Sequence, residues 1–132
     1  MPIHSELEEH HAKSSSLERF IARAEQNLHA EAVEEFYTES ASISENMNAP
    51  RIGRDAQAAR ERALFLKVSS VKSSCVHPVF VSGDRVVIRW IFEFEWNDGR
   101  RSRMEELAWQ RWDGECIAEE TFFYDPVQAV PK

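Results

Sequence analysis

The sequence predicts a single α+β domain, on three observations. Apolar residues recur at helical spacing through the first half, in three short segments. They alternate with period two through the second half, in strand-length segments separated by glycine turns. The chain has 132 residues, room for one core.

The helices come first. Ser15 and Glu18 form a capping-box signature, and Leu17, Phe20, Ile21, Ala24 and Leu28 follow on one face. A second helix runs from about Ala30 to Thr38, with Val33, Phe36 and Tyr37 as its apolar stripe. Residues Ala41 to Asn48 read as a short strand or extended stretch. Pro50 and Gly53 mark a turn, after which Asp55 can cap a third helix ending near Leu66. Its inner face would carry Ala59, Ala63 and Leu66.

The second half is sheet. One strand spans Val68 to Val81, turned by Ser82-Gly83-Asp84. The next, Arg85 to Trp96, puts Val86, Ile88, Trp90, Phe92 and Phe94 on one face. Asp98-Gly99 signals a tight hairpin into Arg101 to Trp112. A turn at Asp113-Gly114-Glu115 leads to a last strand, Cys116 to Asp125, ended by Pro126.

Two-residue turns would fix the pairing of these strands. Centred on Asp98-Gly99, the first sets Phe92 opposite Glu105, Trp90 opposite Leu107 and Ile88 opposite Trp109. The second, on Gly114-Glu115, sets Trp109 opposite Glu120, Leu107 opposite Phe122 and Glu105 opposite Tyr124. The face toward the helices then holds Ile88, Trp90, Phe92, Phe94, Glu105, Leu107, Trp109, Ala118, Glu120, Phe122 and Tyr124. The other holds Arg89, Glu93, Glu106, Gln110, Trp112, Ile117, Glu119 and Phe123. Bulky aromatics on the inner face either pack fully or curl around a cavity.

An unpaired buried carboxylate costs several kcal/mol or stays protonated. Glu105 and Glu120 on an apolar face are therefore paired, solvated at a pocket mouth, or functional. In the functional reading they are acid or base, with Tyr124 donating to Glu105. In the structural reading arginines such as Arg51, Arg54 or Arg103 neutralise them. Trp90 and Trp109 serve as core or as a ligand platform. On the outer face, Trp112, Ile117 and Phe123 among charges suggest a homodimer contact.

Composition narrows the function. A 42% hydrophobic and 30% charged content is that of a folded globular chain. A formal charge of −7, with no basic stretch interleaved with aromatics, argues against nucleic acid. Arg100, Arg101 and Arg103 read as a solvated loop near glutamates. No apolar run reaches the roughly 18 residues of a membrane helix, and the N-terminus does not read as a secretory signal. No membrane partner and a cytoplasmic location are expected. Cys75 and Cys116 read as free thiols of a reducing compartment. The five histidines share no ligand spacing, so neither a metal nor another cofactor is expected. Residues 1–13 read as a loose tail, 14–126 as the domain, and 127–132 as a C-terminal tail.

The segments EFYTESASI, PRIGRDA, MEELAWQRW and ETFFYDP, in that order, resemble the nuclear transport factor 2-like superfamily and its SnoaL-like group. The resemblance covers about Ser15 to Asp125. It implies a cone-shaped barrel of three N-terminal helices on a strongly curved, mainly antiparallel sheet. It also implies frequent dimers through the sheet and a pocket in the mouth of the cone. Functions in the superfamily include ketosteroid isomerases, polyketide cyclases, dehydratases, epoxide hydrolases and binding-only members, and fold alone does not choose.

SENMNAPRIGRDA is similar to the segment of limonene-epoxide hydrolases that carries a tyrosine and an asparagine for the catalytic water. Asn46 matches the asparagine, but Ser44 stands where tyrosine is expected. That family's charged triad would fall at Phe92, Trp90 and Phe122, and aromatics cannot activate water in that way. The resemblance instead implies a small hydrophobic, carbonyl-bearing ligand, with any catalysis a proton transfer without cofactor. Glu120 or Glu105 would be the base, and Tyr124, Tyr37 or Asn46 would hold the developing oxyanion. Trp90, Phe92, Trp109 and Phe122 would line the site. A non-catalytic ligand-binding or dimerisation module is the alternative.

Overall fold

The computed structural model describes residues 14–132. Three helices, α1 (Ser14–Glu25), α2 (His29–Phe36) and α3 (Arg54–Phe65), are interleaved with the start of a six-stranded sheet. Its strands are β1 (Tyr37–Glu45), β2 (Arg51–Ile52), β3 (Val68–Ser82), β4 (Arg85–Trp96), β5 (Arg101–Asp113) and β6 (Cys116–Phe123). A 3₁₀ turn, Pro126–Ala129, follows. The strand order is β2-β1-β6-β5-β4-β3, with only β1 and β6 parallel. This is the three-helix, mainly antiparallel α+β architecture read from the sequence.

The core lies between the helices and the concave side of the sheet. Leu17, Phe20, Ile21 and Ala24 of α1 and Val33 and Phe36 of α2 are buried against Val86, Ile88 and Trp90 of β4. Phe20 meets the rings of Phe36 and Trp112 edge-on, the geometry that aromatic quadrupoles favour. The third helix differs in phase from expectation. Gly53, at φ 118°, is its N-cap, Asp55 lies within the first turn, and Gln57 and Ala58 are the buried residues. Ala59, Ala63 and Leu66 are exposed.

The boundaries of β3, β4 and β5 agree closely with the sequence reading, but α2 ends at Phe36 rather than near Thr38, so Tyr37 opens β1 instead of closing the helix. The register of β5 also differs. The loop after β4 has three residues, Asn97, Asp98 and Gly99, closed by Trp96 N–H donating to the Arg100 carbonyl at 2.8 Å. A two-residue type I′ turn needs positive φ at both central residues. Here Gly99 has φ 86° while Asp98 is not in that region, as in a type I turn completed by a left-handed glycine. The extra residue moves every partner by one: Phe92 faces Met104, Trp90 faces Glu106, and Ile88 faces Ala108.

All of β5 is thereby turned over. Glu106, Ala108, Gln110 and Trp112 point inward, whereas Glu105, Leu107 and Trp109 point out. Trp112 is 1% exposed and Trp109 48%, the reverse of the expected arrangement. A second irregularity restores β6. Arg111 pairs with Glu119 but Trp112 pairs with Ile117, so Ala118 is an extra residue in the strand. Ile117 is consequently buried, not outward, and Ala118 is only partly buried. Beyond the bulge, Glu120 and Phe122 face inward as expected.

The loose tail read at residues 1–13 lies outside the described residues. At the other end, the backbones of Lys132 and Arg101 exchange two hydrogen bonds of 2.8 Å, which docks the C-terminal segment beside β5.

Candidate functional site

A cavity of about 570 Å³ opens between the helices and the concave sheet. One wall is a ladder of alternate residues on β4: Trp90, Phe92, Phe94 and Trp96. Their ring centroids are 5.4, 6.3 and 5.9 Å apart in succession, and the first pair is stacked. Phe20 from α1, Met104 from β5 and Phe122 from β6 extend the apolar lining. Four carboxyl side chains, Glu45, Glu61, Glu106 and Glu120, complete it.

Glu120 is 2% exposed, yet both oxygens are satisfied. The Tyr37 hydroxyl donates to Oε1, and Gln110 Nε2 donates to Oε2 at 2.6 Å. Gln110 is itself oriented by Trp112, whose Nε1 donates to its Oε1 at 2.9 Å. Burial raises the Glu120 carboxyl to about 7, against the lowering effect of its two donors. Desolvation and the neighbouring carboxylate push the Tyr37 phenol well above its ordinary value.

Glu106 lines the same cavity from β5. Burial, then the charges of Glu120, Glu61 and Glu45, raise it to about 8. Among the described residues no side chain hydrogen-bonds its carboxyl and no base lies within ion-pair distance. Glu61, on α3, is also raised by burial, and accepts from Gln57 Nε2 at 3.1 Å. Glu45 is the exception. Burial would raise it, but the Arg51 guanidinium at 2.5 Å, the Tyr124 hydroxyl and Arg60 together outweigh that effect and hold it below the usual range. The cavity thus contains one carboxyl held low by its partners and three raised by burial.

His29 closes the helical side. Its Nε2 lies 2.8 Å from Ser73 Oγ, which donates to Asn27 Oδ1, and its Nδ1 is 3.9 Å from Glu61. Burial lowers the imidazole to about 4, so it is neutral near pH 7.

The expected site residues divide accordingly. Glu120, Tyr37, Trp90, Phe92, Phe122 and Tyr124 line the cavity. Glu105 does not: it lies outside the concave face, accepts from Arg89 at 3.3 Å, and is ion-paired with Arg103 at 3.3 Å. The hydrogen bond of Arg89, then its charge, holds Glu105 below the usual carboxylate range. Trp109 is likewise outside, with the Arg85 guanidinium 5.7 Å from its ring centre. Tyr124 donates not to Glu105 but to Glu45 Oε1, at 3.1 Å. Asn46 is absent from the lining; at φ 55° in the turn after β1, its Oδ1 accepts from Tyr124 N–H at 2.9 Å. Of the arginines considered as partners, Arg51 pairs with Glu45 and Arg54 with Asp55.

Sequence reasoning missed Glu106, Gln110, Glu61 and His29. The parity of β5 hid the first two: either alternation buries one tryptophan and one glutamate, so hydrophobicity could not arbitrate.

A model of the SnoaL-like domain matches residues 17–120, most of the chain. The chain belongs to the SnoaL-like family. Solved structures agree on the fold. A Mesorhizobium loti protein provisionally described as a SnoaL-like polyketide cyclase is 21% identical, with a TM-score of 0.70 over 84% of this chain and 97% of that one. An LEH-like epoxide hydrolase of Mycobacterium tuberculosis is 14% identical, with a TM-score of 0.70 over 86% and 83%. A Catenulispora acidiphila protein of ketosteroid isomerase-like fold, solved with trimethylamine, is 13% identical, with a TM-score of 0.71 over 89% and 90%. No curated protein sequence matches the chain. No helix among the described residues is long and apolar enough to cross a membrane.

Proposed function

We propose that this SnoaL-like chain binds a small apolar, carbonyl-bearing compound and moves a proton on it without a cofactor. The observation that carries the reading is the Glu106 carboxyl. It faces an aromatic cavity, has no protein partner among the described residues, and is held near neutrality. Glu120 was the other inward acid expected as base, but both of its oxygens are already engaged. Glu106 therefore takes the part first given to Glu105.

In this reading ionised Glu106 removes a proton from the carbon beside the carbonyl. When Glu120 carries its proton it can donate to the Tyr37 oxygen, which frees the Tyr37 hydroxyl to donate to the enolate oxygen, and Glu106 returns the abstracted proton elsewhere on the molecule. Return to a second carbon gives isomerisation. Attack of the enolate carbon on a second carbonyl of the same molecule, with the proton returned to the alkoxide so formed, gives ring closure; return to a departing hydroxyl, which leaves as water, gives dehydration. Trp90, Phe92 and Phe122 hold the apolar body and keep water out.

The test is hydrogen–deuterium exchange beside the carbonyl of 2-tetralone and related flat ketones in D2O, followed by proton NMR. Exchange above the buffer rate, lost in Glu106→Gln, supports the proposal. Equal rates in both proteins overturn it, and binding without exchange would leave the non-catalytic ligand-binding module.

The corrected outer face also supports a homodimer. Phe80, Leu107, Trp109 and Phe123 are all at least 37% exposed, and Val87 lies between Phe80 and Trp109 in register. Such a contiguous apolar surface fits a second copy of the chain. Light scattering at micromolar concentration should give twice the chain mass, and Trp109→Asp should restore the monomer. The two free, buried thiols expected of a reducing, cytoplasmic setting are Cys75 and Cys116; both are free, and both are partly rather than fully buried.

A further inference from the structure

The charges around the cavity do not balance. From β1, α3, β5 and β6 it receives Glu45, Glu61, Glu106 and Glu120; from β2 and α3 it receives Arg51 and Arg60. Both arginines serve Glu45, at 2.5 and 3.9 Å. Lys67, after α3, also lines the cavity; it is exposed and makes no ion pair with any of these acids among the described residues. His29 of α2 is neutral, and the hydroxyls of Tyr37 and Tyr124 are already donated to Glu120 and Glu45. Among the described residues, Glu61, Glu106 and Glu120 are thus left without a lysine or arginine partner within ion-pair distance.

The wall that faces this surplus is not simply apolar. Trp90, Phe92, Phe94 and Trp96 present ring surfaces in unbroken succession. An aromatic face attracts a cation, and tryptophan does so best. Acids lacking a counter-ion and a run of aromatic ring faces are complementary to the same kind of group.

We propose that the cavity takes an organic ammonium ion, a protonated or quaternary amine carrying an apolar body. This rests on the reading of the cavity as a small-molecule site, and not on proton transfer there. The ammonium supplies the positive charge that the protein omits, and its alkyl groups lie against the β4 ladder. An anionic ligand would be repelled as the acids ionise, and a neutral one would leave them protonated.

Because the missing charge arrives with the ligand, binding draws protons off the acids. For a quaternary amine, which cannot titrate, the whole pH dependence of affinity then comes from the protein. Affinity should rise with pH through the range in which Glu120 and Glu106 ionise, about 7 and about 8. Glu61 and the Arg51–Glu45 pair face the same space, and Glu61 contributes in the same direction.

The experiment uses benzyltrimethylammonium and its uncharged isostere neopentylbenzene, titrated into the full chain at pH 6 and pH 9 with amide chemical shifts as readout. The ammonium should bind more tightly than the isostere, with a gain on the order of tenfold or more between the two pH values. The Glu106→Gln and Glu61→Gln variants should each shrink that gain for the ammonium, while the isostere's affinity stays independent of pH in every protein. If the isostere binds as well as the ammonium at both pH values, the ammonium proposal is wrong while the pocket reading stands. If neither binds, both fail.

Discussion

Gln110 stands directly opposite Glu120 across β5 and β6, and its amide donates to Glu120 Oε2 at 2.6 Å. The contact exists only because a three-residue loop turns β5 inward and an extra residue in β6 turns Glu120 back toward it. Trp112 then fixes the Gln110 amide, and Tyr37 holds the other carboxyl oxygen. The interior of the cone is specified by this chain of donors.

Replacing Gln110 by leucine strands two buried groups, Glu120 Oε2 and the Trp112 indole N–H. Each lost partner costs roughly 1–3 kcal/mol. We expect a destabilisation of about 2–5 kcal/mol in urea denaturation at pH 7. The Glu120 pKa should rise as well, because a donor that lowers it is gone.

Tyr37→Phe removes the other donor. Carboxyl carbon-13 NMR should show Glu120 titrating higher than in the parent chain, with Glu105 unmoved. A cost near ~1 kcal/mol is expected for the lost hydrogen bond.

The register makes opposite demands on two tryptophans. Trp112→Ala opens a hole in the core, at about 3–5 kcal/mol. Trp109→Ala removes an outward ring and should cost less than about 1 kcal/mol in folding stability under monomeric conditions. Parallel urea titrations compare the two, and the register inferred from two-residue turns would give the reverse order.

Glu106 links stability to pH. Its folded value, about 8, lies above the ordinary 4.5, so the native state holds a proton that the unfolded chain has released between those limits. Its contribution is therefore full below pH 4.5 and is lost as pH rises toward 8. Glu120 acts in the same direction up to about 7. His29, lowered to about 4 from 6.5, acts oppositely over its own range. Subtracting the parent from Glu106→Gln isolates the Glu106 effect. The variant's relative stability should grow with pH by at most about 1.4 kcal/mol per unit, then level off above about 8.

Most of the scaffold was legible because its signals are redundant. The alternation of Val86, Ile88, Trp90, Phe92 and Phe94 leaves no choice of face, and Gly83, Gly99 and Gly114 mark the reversals. The strand β5 carries no such redundancy. Met104, Ala108 and Trp112 form one apolar set and Leu107 and Trp109 another, so its face hangs on one loop residue. Asp98-Gly99 satisfies both the two-residue turn and the end of a three-residue loop. That ambiguity moved Glu105 into the expected site and Glu106 out of it. Glu120, Phe122 and Tyr124 were placed correctly because the unforeseen loop residue and the unforeseen bulge at Ala118 offset each other. His29 and Glu61 meet only through the packing of α2 and α3 over the sheet, which short-range patterns do not encode.

Site-resolved titration of the glutamate carboxyl carbons by NMR tests the inward turn of β5 most directly. Glu106 should titrate at about 8 and Glu120 at about 7, with Glu105 below the ordinary value. A Glu106 that titrates with the surface carboxylates near ~4.3, beside a raised Glu105, would contradict the register, the cavity acids and the chemistry proposed for them.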